Sequence, residues 1–262
     1  MADKEKKRYF LEQHIIELSQ RADLGNYPVF TDFLTTGEQT AARRLKHKIR
    51  ENAKNIFFEM WGGHFDCNHV VLGFFPDSFM EYDRPPLFPI SCILIEPANY
   101  RHAEKISHRD CLGAVLSLGI SRAKIGDIRI EEQRAYLFCK EEIASFILEQ
   151  LKKVRNTAVL CRIIEDLQQI PNQQYEVIKR TVASLRLDNV VAAMAGLARG
   201  RAAELIFQGK VVVDSSEQTS VSFICKNGCI ISIRGYGKFR LQIPDVPLTK
   251  KGKNKIQIYK YI

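Results

Sequence analysis

The residues best placed to do chemistry in this sequence are basic. In the stretch RLDNVVAAMAGLARGRAAELIFQGKVVVD (186–214), Arg186, Arg199, Arg201 and Lys210 sit at the ends of two apolar periodic segments. Cations beside the unpaired N–H groups of a helix start make an anion site, suited to phosphate. Arg234, Lys238 and Arg240 in RGYGKFR add charge further along, where the intervening glycines permit a tight backbone. A second constellation, His108-Arg109-Asp110, invites acid–base readings. A kinase-type triplet would need a following Asn, a DFG and a glycine-rich loop, and none is present. A pseudouridine-synthase-type Asp would open a longer motif with Thr-Ser-Gly, whereas the sequence here runs HRDCLGAVL. The structural alternative for Asp110 is a carboxylate at the third position of a helix that Ser107 caps.

The elements that must position the arginines follow from periodicity. Leu187, Val190, Val191 and Met194 recur at helical spacing, and Gly196 stops that helix. A second helix from about Arg201 to Gln208 buries Ala202, Leu205 and Ile206, and Val211 and Val213 then alternate as a strand. Val221 to Cys225, a Lys226-Asn227-Gly228 turn and Ile230 to Ile233 predict a hairpin.

Charge is unevenly spread. From residue 179 onward there are 15 Lys/Arg against 5 Asp/Glu, a balance of +10, while residues 1–178 carry 24 against 25. All of the net +9 lies in the C-terminal third, the footprint of a nucleic-acid-binding module on a near-neutral body. No run of about 18 apolar residues predicts a membrane span, and the charged start MADKEKKRYFLEQ lacks the apolar core of a secretory signal. A cytoplasmic protein is expected. The seven cysteines are scattered, with Cys92, Cys139 and Cys161 in apolar runs, and no second pair or histidine completes a zinc set around Cys225 and Cys229. Reduced thiols, no disulfide, no metal and no cofactor are expected.

The chain reads as an N-terminal mainly helical domain (1–80), a middle domain (85–166), a domain carrying the basic hairpin (178–245) and a basic tail (246–262). In the first, helices cover Lys6 to Arg21 and Glu38 to Ala53, separated by a loop. The outer face of the second carries Arg43, Arg44, Lys46, His47, Lys48 and Arg50, in general a solvated face, with an accessory role in RNA docking as the alternative. Strands ending at Trp61 and running through Val71 to Phe74 follow around Gly62-Gly63. A proline-rich connector from Asp83 to Pro89 leads to elements in β-α-β-β-α-β order, the ferredoxin-like arrangement shared with RNA-recognition domains. Its second helix, Glu141 to Lys153, turns Ile143, Phe146, Ile147 and Leu151 inward, and Tyr136 and Phe138 alternate on one strand. Glu165 to Tyr175 reads as a linker.

RLD, an Arg-x-Arg turn, an apolar helix and GKVVVD together resemble the S4 RNA-binding domain. SHRDCLGAVLSLGISRAKIGDI (107–128), the WGGHF turn (61–65) and RGYGKF (234–239) extend the resemblance to the YlmH family of bacterial S4-domain proteins, over nearly the whole chain. One departure stands out: after the double glycine this chain has Asp66-Cys-Asn-His69 in place of an acidic and basic run. The resemblance implies an α+β protein with an N-terminal helical segment, a ferredoxin-like (RRM-like) middle domain and a C-terminal S4 (alpha-L) domain. It implies a non-enzymatic protein that grips structured rRNA or tRNA, at the large ribosomal subunit, in translation or rescue of stalled peptidyl-tRNA complexes. Arg186, Arg199, Arg201, Lys210, Arg234, Lys238 and Arg240 are the expected RNA contacts. The alternatives are an RNA-modifying enzyme using Asp110 and a protein-interaction adaptor linked to cell division.

Overall fold

A computed structural model describes residues 2–81, 87–245, 249 and 252–261. Two compact units divide the chain, residues 1–172 and 173–262.

The first unit opens with α1 (Ala2–Gly25), β1 (Val29–Leu34), α2 (Thr36–Arg44), α3 (Lys46–Asn52), β2 (Ile56–Trp61) and β3 (Val70–Pro76). The strands form an antiparallel sheet in the order β1-β3-β2. Ile15, Leu18, Ala42, Leu45, Ile49, Leu72 and Phe74 make its buried core with the helices. Two expectations are corrected. The segment after α1 is a strand, because Val29, Phe33 and Leu34 face inward and the Thr31 hydroxyl accepts the Leu72 N–H. The single helix expected over 38–53 is two, since Leu45 takes a bridge-region ψ of 0° and its amide bonds back to Ala42.

The proline-rich connector lies largely outside the described residues. After it come β4 (Ile90–Pro97), α4 (His108–Leu116), β5 (Ile125–Glu131), β6 (Arg134–Lys140), α5 (Ala144–Gln150), β7 (Lys153–Val154) and β8 (Thr157–Ile164). Their antiparallel order β5-β6-β4-β8-β7 is the ferredoxin-like 2-3-1-4 arrangement with one added edge strand. Because strand side chains alternate between faces, Ile93 and Ile95 of β4 pack with Cys111, Val115, Ala144 and Ile147 on the helical side. Cys92 and Leu94 pack with Phe33, Val71, Tyr136 and Phe138 on the other. The N-terminal segment thus covers the sheet face on which an RNA-recognition domain would display rings. Tyr136 and Phe138 are 4% and 0% exposed, so neither offers a ring to a base.

Gly63 marks the closest approach between these layers: at φ +94° it leaves no room for a Cβ, which would stand 2.5 Å from the Phe138 ring. Arg129 is buried here, donating to Asp66 and to the Pro171 carbonyl (2.6 Å) and lying over Phe138. Asp127, two residues earlier, accepts from the Asn68 and His69 amides and pairs with the His69 ring. Residues 66–69, where the sequence departs from its resemblance, are therefore tied to one strand of the middle sheet. Two further corrections belong here. Phe146 is 45% exposed, because the inward stripe runs through Ala144, Ile147 and Leu151. The expected linker after Glu165 is partly core, with Ile170 buried against Leu94 and Ile164.

The second unit comprises β9 (Tyr175–Val182), α6 (Leu187–Ala195), α7 (Arg199–Phe207), β10 (Val211–Val213), β11 (Ser216–Glu217), β12 (Ile230–Ile233), β13 (Gly237–Gln242) and β14 (Asn254–Tyr261). Its sheet order is β11-β10-β12-β13-β14-β9, antiparallel throughout. Leu187, Val190, Val191, Met194, Ala202, Leu205 and Ile206 of the helix pair pack on Val211, Ile231, Phe239, Ile256 and Ile258. Residues 254–261 are thus a central strand rather than a tail, held by Ile256 and Ile258 in the core and by full pairing to β9. The expected hairpin before β12 is absent: the Cys225 amide bonds to the Leu185 carbonyl and the Leu187 amide to Phe223, closing this segment onto the start of α6.

Candidate nucleic-acid interface

The α6–α7 turn is built around a residue the sequence analysis gave no role. Asp188, in the first turn of α6, is 3% exposed and receives donors at both carboxylate oxygens. Oδ2 accepts Arg199 Nε at 2.8 Å and Arg199 Nη2 at 2.7 Å. Oδ1 accepts the Asn189 N–H at 2.9 Å and Arg186 Nε at 3.5 Å. Burial alone would raise the Asp188 carboxyl, but the bonds from Arg199, the Asn189 amide and Arg186 outweigh it and hold its pKa below the ordinary value. One buried carboxylate therefore orients two arginines that remain 57% and 38% exposed at the surface. Gly196 lets the chain turn between the helices at φ +66° while its amide closes on Ala192.

The other expected contacts fall into further groups. Arg201 extends from the first turn of α7, 56% exposed and paired with Glu204 at 2.5 Å. Lys210 and Arg234 are neighbours across strands, the Arg234 amide donating to the Lys210 carbonyl at 2.9 Å. Phe239 and Leu241 of β13 face the core, so Lys238 and Arg240 lie on the sheet face away from the helices. There Lys238 Nζ lies 4.7 Å from the Tyr261 ring centre, and Arg240 lies over Tyr175 (5.4 Å) and Tyr261 (6.0 Å) while donating to the Tyr261 hydroxyl. The structure thus brings Arg186 and Arg199 together and separates them, by a sheet, from Lys238 and Arg240. It adds Lys179, Arg180 and Lys255, which line a cavity of about 530 Å³ along β9 and β14. Alternation of Ile256 and Ile258 with polar residues was the available signal for that strand.

Two clusters with catalytic residue types are bound up in structure. Asp110 forms a capping box with Ser107: the Ser107 hydroxyl accepts the Asp110 amide, and Asp110 accepts the Ser107 amide at 3.0 Å and its hydroxyl at 2.7 Å. Those bonds hold its carboxyl low, as a cap requires and a proton donor does not. Cys67 lies near His64, Asp66 and Arg129, but burial pushes its thiol up to about 12, far from the thiolate a nucleophile needs. Among the described residues no His, Cys, Asp and Glu cluster has the makings of a metal site.

Residues 90–168, which enclose β4 to β8, match the family model described as "Putative RNA-binding domain in YlmH". Residues 185–230, which enclose the Asp188 turn, match the S4 domain. The chain carries a YlmH-type RNA-binding domain followed by an S4 domain. It is 35% identical over 168 residues to ribosome-associated protein quality control protein P2 of Bacillus subtilis (strain 168), a match covering 62% of this chain and 64% of that protein. The match therefore spans just under two thirds of the relative's length. In fold it is similar to the cell division protein ylmH from Streptococcus pneumoniae, with a TM-score of 0.50 and 21% identity over 63% of this chain and 95% of the other. No helix among the described residues is long and apolar enough to cross a membrane.

Proposed function

We propose that this protein is a non-enzymatic binder of structured RNA whose S4 domain docks on rRNA or tRNA at the large ribosomal subunit, in translation or the rescue of stalled peptidyl-tRNA complexes. The observation that carries the reading is the Asp188 turn, where a buried carboxylate presents Arg199 and Arg186 from the mouth of a helical hairpin. Guanidinium groups fixed in this way meet phosphate oxygens without first losing side-chain freedom. Arg201 extends the same edge, while Lys210, Arg234, Lys238 and Arg240 add charge elsewhere on the unit. A rigid hairpin suits double-stranded RNA, which is read mostly by shape, 2′-hydroxyls and phosphates. The name of the Bacillus subtilis relative ties that protein to ribosome-associated quality control, which supports a ribosomal partner and a cytoplasmic location here.

The test is an Arg199→Ala/Arg201→Ala variant titrated with structured RNAs over a range of salt. The reading expects weaker binding to all of them and a shallower salt dependence by about 1 to 2 in log–log slope, in a variant that is less stable because Asp188 loses its Arg199 partner but stays folded at 25 °C. Unchanged affinity and slope would remove this turn as the RNA contact.

A further inference from the structure

A second basic surface lies in the first unit, far along the chain from the S4 domain. Residues 43–58 hold six Lys/Arg against Glu51 alone, +5, whereas the remainder of residues 1–178 sums to −6. A local excess of positive charge thus stands out in one short stretch of an otherwise acidic body.

The fold gathers that stretch into a concavity of about 810 Å³. Arg43 comes from α2, Lys46 and Arg50 from α3, and Lys54 from the loop leading into β2, so three successive elements deliver charge to one place. All four cations are exposed, and among the described residues no carboxylate forms an ion pair with any of them. By contrast Arg199, Arg186 and Arg201 each have an acidic partner. Ile56 and Phe58 of β2, whose side chains lie on the helical face of the sheet beside Ile49, supply an apolar wall. Among the described residues Asp77 is the one carboxylate lining the concavity.

We propose that this groove, formed by Arg43, Lys46, Arg50 and Lys54 against Ile56 and Phe58, is a second RNA contact that takes the sugar–phosphate backbone. Unpaired cations converging on a concavity keep their full field for an incoming anion, and several phosphates along one strand answer several cations at once. The partly buried Phe58 ring gives ribose or an unstacked base a surface to lie against. Contacts of this kind hold and orient an RNA without reading its sequence, so the groove serves as a positioning site for RNA that the S4 domain also engages.

The experiment uses the full chain and a fluorescein-labelled RNA hairpin carrying a single-stranded extension, titrated by anisotropy from 50 to 200 mM KCl. Arg43→Ala/Lys46→Ala/Arg50→Ala/Lys54→Ala is compared with the charge-conserving R43K/K46R/R50K/K54R, with circular dichroism and melting followed for each. The alanine variant is expected to lose at least about tenfold in affinity at low salt, with a log–log salt slope shallower by about 2 to 3, near 0.7 per lost phosphate contact. The charge-conserving variant keeps both. Wild-type affinity and slope in the alanine variant would overturn the proposal, including the case in which that variant instead loses an acidic protein. The Arg199→Ala/Arg201→Ala protein measured alongside separates the two sites. If it alone loses affinity the groove proposal fails, and if only the groove variant does the S4 reading fails.

Discussion

Replacing Asp188 by Asn preserves the shape of the side chain and removes its charge. In the native turn both carboxylate oxygens accept, Oδ2 from two Arg199 nitrogens and Oδ1 from the Asn189 amide and Arg186. An asparagine has one acceptor, so either rotamer turns its NH₂ group toward a donor. A charge-assisted hydrogen bond contributes about 1.5–3 kcal/mol, and because Arg199 is half-exposed the lower half of that range applies, about 2 kcal/mol. For a unit of this size that lowers Tm by about 10 °C. Freed of their anchor, Arg186 and Arg199 must be ordered on binding at about 0.5–1.5 kcal/mol each, a loss of about tenfold or more in RNA affinity. The assay is thermal unfolding together with RNA titration at 25 °C, where the variant stays folded. A Tm within a degree of wild type and affinity within twofold would refute the idea that Asp188 organises the turn.

Three other perturbations follow from the same geometry. Arg129→Met removes the buried cation that pairs with Asp66, leaving that carboxylate beside His64, and is expected to destabilise the first unit by about 3 kcal/mol, read as a lower urea midpoint. Gly196→Ala forces a Cβ at φ +66° with open space around it, so about 1 kcal/mol of backbone strain is expected in denaturant titrations, with RNA affinity at 25 °C unchanged. Asp110 and Asp188 both have folded-state pKa values below the ordinary value, so their contributions are fully present above about pH 4 and are lost as pH falls through the folded values. Wild-type Tm should drop more steeply below pH 4 than that of Asp110→Asn or Asp188→Asn, and parallel profiles would contradict this.

Much of the architecture was legible in the sequence wherever burial imposes a period. Val190, Val191 and Met194 announce α6, and Ile93 and Ile95 announce the inner face of β4, because each set packs on one side only. The strand order of the middle domain follows from the β-α-β-β-α-β succession. Where polar residues carry structural work the pattern fails. β1 was hidden by Thr31 and Asp32, although the Thr31 hydroxyl accepts the Leu72 amide and its carbonyl accepts Lys140 Nζ. β14 was hidden by flanking lysines that outweighed the alternation of Ile256 and Ile258.

The site was half legible for a related reason. Arginines at helix ends declare themselves by charge, but Asp188 reads as an ordinary first-turn acid until Arg199, eleven residues on, is brought back beside it. The separation of Lys238 and Arg240 from the arginine turn is a matter of which sheet face they occupy. That becomes fixed only once Phe239 and Leu241 are known to point to the core.

The most direct test of RNA binding at the ribosome is sedimentation of the tagged protein from lysate, wild type beside Arg186→Ala/Arg199→Ala, at low and moderate salt. Wild-type protein moving with the large subunit, released by salt, and a double variant left at the top of the gradient is the predicted result. Wild-type protein confined to the top at low salt, or a double variant that co-sediments as well as wild type, would contradict it.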